Sequence, residues 1–130
     1  MRKDDLIRMR HMLDAAEEAI SFSKGNTRKS LTTDRKLVLA IVKSIEIIGE
    51  AATKVTAEGR ALLPQLQWPS IIGMRNRLIH AYYEINLDIL WKTVKKDLPP
   101  LILELQKMIS ELIPEDNPTK KKQTKQKGKV

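Results

Sequence analysis

Apolar residues recur every three or four positions along most of the chain, a spacing typical of helices with one buried face. The strongest run consists of Leu37, Ile41, Ile45, Ile48, Ala52 and Val55. A second run extends from Leu87 to Leu112 and predicts two nearly collinear helical segments, because Pro99-Pro100 interrupts it. No stretch alternates convincingly between apolar and polar residues, as a half-buried strand would. The sequence therefore predicts an all-α fold, an up-and-down bundle of four to five helices.

Capping residues and one glycine add detail to this prediction. Asp4 or Asp5 is suited to cap a first helix, and Thr32 or Thr33 is suited to cap the helix that contains the strongest run. Gly49 lies inside that second helix, where glycine costs about 1 kcal/mol relative to alanine. We therefore expect Gly49 to permit the close approach of another helix, and a dimer seam is one candidate for that neighbour.

Length and charge predict one basic domain with a basic tail. The chain has 130 residues, enough for one core, and we expect the helical domain to span residues 1–113. Residues 114–130 carry six lysines against two acidic residues, half of the net charge of +8, and have no apolar period, so they predict a disordered tail. The positive charge favours a phosphate-rich partner such as RNA, with a merely solubilising tail as the alternative.

The composition also excludes several kinds of site. The chain has no cysteine and two histidines, so thiolate chemistry is excluded and a site built from several histidines is not expected. No apolar run approaches the roughly 18 residues of a membrane span, and the first residues lack the apolar core of a signal peptide. We therefore expect a cytoplasmic protein that needs neither metal nor cofactor and does not bind a membrane.

The residues best suited to chemistry are concentrated between Met74 and Tyr83. They are Arg75, Asn76, Arg77, His80 and Tyr82. On a continuous helix Asn76 and His80 would share a face, whereas Arg75 and His80 would diverge by about 140°. Two copies of the chain, each donating these residues to a shared cleft, would relieve that divergence. The spacing thus permits a homodimer without requiring one.

The order arginine, four residues, histidine, one residue, tyrosine resembles the signature of HepT-like toxins in the HEPN superfamily of helical ribonucleases. Trp68-Pro69 before the motif and Asn86-Leu87-Asp88 after it agree with this resemblance. It implies a metal-independent endoribonuclease with Arg75 and His80 as catalytic residues, and with Asn76, Arg77 and Tyr82 supporting the site or contacting the RNA substrate. Histidine titrates near neutral pH and arginine binds phosphate through paired hydrogen bonds, so the residue types suit RNA cleavage.

The same resemblance implies partners. HepT-like proteins are the toxin half of a toxin–antitoxin pair, and their antitoxin, MntA, is a minimal nucleotidyltransferase that transfers AMP to the motif tyrosine. That residue corresponds to Tyr82, although Tyr83 offers a second hydroxyl beside it. HEPN proteins also dimerise with their motifs facing one another, which implies a homodimer. The alternative function is a non-catalytic helical module that docks such a nucleotidyltransferase.

Overall fold

A computed structural model describes residues 1–80 and 84–112, and these residues form an all-α fold with one pair of two-residue strands. The helices are α1 (Lys3–Ser23), α2 (Ser30–Thr33), α3 (Arg35–Thr53), α4 (Ala57–Ala61), α5 (Trp68–Ile72), α6 (Met74–Leu78), α7 (Leu87–Lys92) and α8 (Leu98–Leu112); the strands are β1 (Ile79–His80) and β2 (Glu84–Ile85). The predicted tail, residues 114–130, lies outside the described residues. In the described part, no helix combines the length and the apolar character needed to cross a membrane.

Three long helical elements build the bundle, namely α1, α3 and the continuous stretch from α7 to α8. The start of α1 lies beside the end of α3, because the Asp5 carboxylate accepts hydrogen bonds from Thr56. The start of α7 lies beside the end of α1, where Arg28 Nε donates to Asp88 Oδ1 at 2.6 Å. Helix α1 packs against both α3 and α8, and these contacts between starts and ends make neighbouring helices antiparallel, so the bundle is up-and-down. The short helices α4 to α6 connect α3 to the strands and α7.

The apolar periodicity of the sequence accounts for the core. Every member of the strongest run is buried: Leu37, Ile41, Ile45, Ile48, Ala52 and Val55. The predicted caps of the first two long helices are wrong, however. Asp34 caps α3 by accepting from Leu37 N, because Thr32 and Thr33 belong to the short helix α2. Asp5 lies inside α1 and is 1% exposed, so it has a different role.

The close approach predicted at Gly49 lies within the chain. A Cβ atom at this position would lie 3.2 Å from the carbonyl oxygen of Ile72, at the end of α5. The glycine therefore lets the segment that leads into α6 lie directly on α3. This contact accounts for Gly49 without a second copy of the chain, so the glycine gives no support to a dimer seam.

Pro99 and Pro100 were expected to interrupt the last long helix, but the irregular segment lies before them. Pro99 and Pro100 lie in the first turn of α8, and the break comes before them, in a π-helical segment at Thr93–Asp97. Leu98 N donates there to the oxygen of Thr93, five residues earlier. Proline has no N–H to donate, so the carbonyls before the pair lose their usual partners and the turn widens. The two predicted helical segments are α7 and α8, and the π-helical segment, rather than the proline pair, separates them.

Candidate active site

The motif follows helix α5, whose first residue is anchored in the core. Trp68 is 6% exposed, and its Nε1 donates to the oxygen of Leu63 at 3.1 Å. The Arg60 guanidinium lies 5.6 Å from the centre of the same ring. Pro69 follows in the first turn of α5, where its missing N–H costs nothing. Trp68 therefore anchors the start of α5 in the core.

The prediction of a continuous helix through the motif is wrong. Helix α6 ends at Leu78, and Ile79 is extended, with φ −99° and ψ 116°. Strand β1 then pairs antiparallel with β2, which sets the backbone of His80 opposite that of Glu84. The Leu78 oxygen, which a longer helix would use internally, accepts instead from Asn86 N at 2.7 Å. The angles of a continuous helix, which placed Asn76 on the face of His80 and turned Arg75 away from it, therefore do not apply. The His80 side chain and residues 81–83, which include Tyr82 and Tyr83, lie outside the described residues.

Arg75 contacts a carboxylate on another helix. Its Nε donates to Glu46 Oε2 on α3 at 2.7 Å, which is short for such a bond and expected when both groups are charged. About half of the Arg75 side chain remains exposed, at 49%. Arg75 thus pairs with Glu46 on α3, although Glu84, on β2, is nearer to it in sequence.

Arg75 also lines a groove of about 520 Å³ along α1 and α3. Its charged lining consists of Arg8, Lys43, Lys54 and Arg75 against Glu46 and Glu50, with His11 beside them. Lys54 Nζ lies 3.6 Å from Glu50 Oε2, and Lys43 Nζ lies 4.0 Å from Glu46 Oε1. Among the described lining residues, cations outnumber carboxylates by two, so the groove attracts anions.

Arg77 belongs to a different groove. Residues two apart on a helix point about 200° apart, and Arg77 lines a cavity of about 640 Å³ on the side of α8, with Lys92, Lys96 and Asp97. One terminal nitrogen of Arg77 donates to the oxygen of Ser70 at 3.0 Å. Asn76 lies between the two arginines and is exposed. The structure thus separates Arg75 from Arg77, which the sequence assigned to one site.

Several groove residues were missed by the sequence analysis. Lys43, Glu46, Glu50 and Lys54 lie on the side of α3 away from the core, where polar residues give no signal of a site. Their pairing within α3 could have been read from spacings of three and four. The contact between Glu46 and Arg75 joins residues 29 positions apart and has no local signal.

A helical bundle with a groove in which cations exceed carboxylates, and which Arg75 lines, is of a class suited to polyanions such as nucleic acids. A family model described as Ribonuclease HepT-like matches residues 12–108, a span that contains Arg75, His80 and Tyr82. The chain belongs to this HepT-like ribonuclease family.

Individual relatives agree with the family match. The chain is 35% identical over 100 residues to a protein of Thermococcus cleftensis named "Probable ribonuclease HepT", covering 74% of this chain and 91% of the relative. It is 36% identical over 105 residues to a candidate RNase of Caldanaerobacter subterraneus subsp. tengcongensis, covering 81% and 90%. A Methanocaldococcus jannaschii protein, whose name combines a gamma-glutamylcyclotransferase with a candidate RNase, is 36% identical over 112 residues. That match covers 86% of this chain and 50% of the longer relative. No solved structure matches the chain significantly.

Proposed function

We propose that this protein is a metal-independent endoribonuclease and the toxin of a toxin–antitoxin pair, acting on RNA in the cytoplasm. The observation that carries the proposal is Arg75, a motif residue that lines a groove with an excess of cations. Such a groove attracts the RNA backbone, and the family match adds the expectation of strand cleavage. The substrate is a single RNA chain, whose 2′-hydroxyl supplies the nucleophile.

The protein must remove the proton of the 2′-hydroxyl, donate a proton to the leaving 5′-oxygen, and stabilise the negative charge that develops on the phosphate. The 2′-oxygen attacks the adjacent phosphorus as its proton is removed, the bond from phosphorus to the 5′-oxygen breaks, and the leaving oxygen takes up a proton. His80 serves the proton transfers, because an imidazole exchanges protons near neutral pH. Arg75 binds the non-bridging oxygens and stabilises the added negative charge. Asn76 and Tyr82 contact the substrate, and Arg77 binds a phosphate further along the RNA.

We further propose a homodimer in which two motifs share one cleft. One imidazole cannot be both the base and the acid of a single concerted step, whereas a two-fold pair of chains supplies two. The break of the helix at Leu78 removes the angular argument for such sharing, so the proposal rests on the family resemblance and on this chemical requirement.

Arg75→Ala should lower the cleavage rate constant by about 10² or more, because a preorganised donor to the reacting phosphate is lost. It should also weaken RNA binding, since the same charge meets phosphate before reaction. Arg77→Ala is the matched control: it removes an identical charge two residues away, in the other groove, and should weaken binding while leaving the rate constant nearly unchanged. Single-turnover cleavage of a labelled RNA in the presence of a chelator measures both quantities. An equal loss of rate in the two variants would contradict a catalytic role specific to Arg75.

We propose that a nucleotidyltransferase antitoxin of the MntA type neutralises the toxin at Tyr82. The Tyr82 oxygen would attack the α-phosphorus of ATP, the bond to the β-phosphate would break, pyrophosphate would leave, and the hydroxyl proton would pass to solvent. The attached AMP carries a negative charge into a motif that otherwise binds phosphate, and an ion pair with Arg75 would then block RNA.

Tyr82→Phe should retain at least partial cleavage, because the ring remains, yet resist neutralisation for want of an acceptor oxygen. Tyr83→Phe, one position further, should stay sensitive to the antitoxin. Intact-mass measurement after incubation with the partner and ATP, together with growth of cells expressing both proteins, checks the two variants. AMP addition that persists in Tyr82→Phe and disappears in Tyr83→Phe would assign the acceptor to Tyr83.

A further inference from the structure

The contact between Arg75 and Glu46 uses only one edge of the guanidinium. The hydrogen bond to Glu46 Oε2 comes from Nε, the nitrogen nearest the chain. Among the residues that the structure describes, neither terminal nitrogen of Arg75 makes a hydrogen bond. The terminal nitrogens of an arginine form part of the planar fork that binds phosphate in pairs. Glu46 therefore fixes the guanidinium while leaving its outer edge available to an anion.

The fold holds this pair at a set distance. Gly49 lies one turn after Glu46 on the same face of α3, and there the backbone at the end of α5 packs directly on α3. Since α6 follows α5 after one residue, this close packing brings Arg75 within reach of Glu46. The Glu46 side chain is 33% exposed, whereas that of Glu50, one turn further along the same groove, is 73% exposed and pairs with Lys54.

We propose that Glu46 is a positioning residue for the reaction assigned to Arg75. Its carboxylate holds Nε so that the terminal nitrogens meet the scissile phosphate in one orientation. This inference rests on the proposed ribonuclease activity and deepens it. Glu46 touches neither the RNA nor the reacting atoms, and it acts through Arg75.

Glu46 should affect RNA binding and RNA cleavage in opposite directions: its negative charge weakens binding, whereas its hold on Arg75 raises the cleavage rate. Glu46 is a negative charge in a groove that binds a polyanion, so its removal should tighten RNA binding. A carboxylate with no other role would give tighter binding and an unchanged or higher rate. A positioning residue gives tighter or equal binding together with a lower rate, because the arginine loses its fixed orientation.

Single-turnover cleavage by the full chain, with RNA affinity measured separately, tests this inference. We expect Glu46→Ala to lower the cleavage rate constant by roughly 10-fold or more without weakening RNA binding. Glu46→Gln, which keeps an oxygen able to accept from Nε, should recover part of that loss. Glu50→Ala is the matched control: it removes the same charge from the same groove and should keep the rate constant within about threefold. In an Arg75→Ala background, Glu46→Ala should cause no further loss of rate.

The possible outcomes separate this inference from the proposed function. Wild-type protein that cleaves no RNA would overturn both. Active wild-type protein with a Glu46→Ala rate constant equal to that of Glu50→Ala would overturn the positioning role alone. A higher rate in Glu46→Ala would also overturn it, and would show that Glu46 competes with RNA for Arg75. Thermal unfolding of each variant identifies any loss of rate that arises from loss of fold.

Discussion

His80→Ala is expected to abolish RNA cleavage while leaving the free energy of unfolding and the RNA affinity nearly unchanged. The substitution removes the proposed proton carrier and keeps the cationic groove, and a general acid–base group typically supplies about 10² to 10⁴ in rate. The chain provides a matched control in His11, its other histidine, which lies on α1 and lines the groove that contains Arg75. His11→Ala should cleave RNA at close to the wild-type rate. Cleavage in the presence of a chelator, at protein concentrations far above that of the RNA, measures both variants.

The opposite pattern would be equally informative. A large loss in His11→Ala with little change in His80→Ala would move the proton chemistry out of the motif. If pure wild-type protein cleaves no RNA, and His80→Ala still binds its nucleotidyltransferase and affects growth as the wild type does, the ribonuclease proposal fails. The docking module would then be the better description of the protein.

Asp5→Ala is expected to lower the free energy of unfolding by about 2–3 kcal/mol, the largest effect on stability proposed for this chain. The Asp5 carboxylate is buried and accepts from Thr56 N at 2.9 Å and from Thr56 Oγ1 at 2.5 Å. Thr56 Oγ1 in turn accepts from Gly59 N at 3.2 Å, so one carboxylate organises the start of α4. Asp4→Ala removes an exposed carboxylate next in sequence and is the control. Denaturant unfolding at neutral pH compares them, and equal losses would contradict a specific role for Asp5.

The loss in Asp5→Ala should also depend on pH. Burial by itself raises the pKa of Asp5, but the hydrogen bonds from the Thr56 side chain and backbone, with Arg2 and the N-terminal amine, lower the pKa below its usual value of 3.8. A carboxyl with a lower pKa in the folded state stabilises the fold fully above its unfolded pKa. That contribution is lost as the pH falls from there through the folded pKa. The difference in stability between wild type and Asp5→Ala should therefore be constant from pH 5 to 7 and shrink below about pH 4.

Local periodicity was sufficient to predict the three long helical elements and most of the core, because residues three or four apart share a helix face. In the second apolar run, from Leu87 to Leu112, the periodicity predicts the buried residues correctly except near the end. Leu90, Leu98 and Leu105 are buried as the pattern predicts, whereas Leu112 is 39% exposed and Ile109 takes the buried position in the last turns. Which side of α8 is buried near its end depends on the helix that packs against it. The spacing of apolar residues does not reveal that neighbour.

The motif was located by sequence, but its geometry was not. The helix through Arg75 ends at Leu78 because the Leu78 oxygen finds Asn86, and Ile79 pairs with Ile85. The partner of Arg75 is likewise distant in sequence, as Glu46 lies on α3. Each of these features depends on residues that meet only after the bundle has folded, so no pattern of three or four could predict them.

The end of α6 at Leu78 changes the meaning of the four residues that separate Arg75 from His80. Within a continuous helix, one added residue would rotate the histidine by about 100° and point it away from the arginine. After Leu78 the chain is extended, and an added residue there lengthens the path by about 3.3 Å and changes the facing of the strand. The interval between Arg75 and His80 is therefore set by the length of a short extended connector after Leu78, and not by rotation around a helix axis.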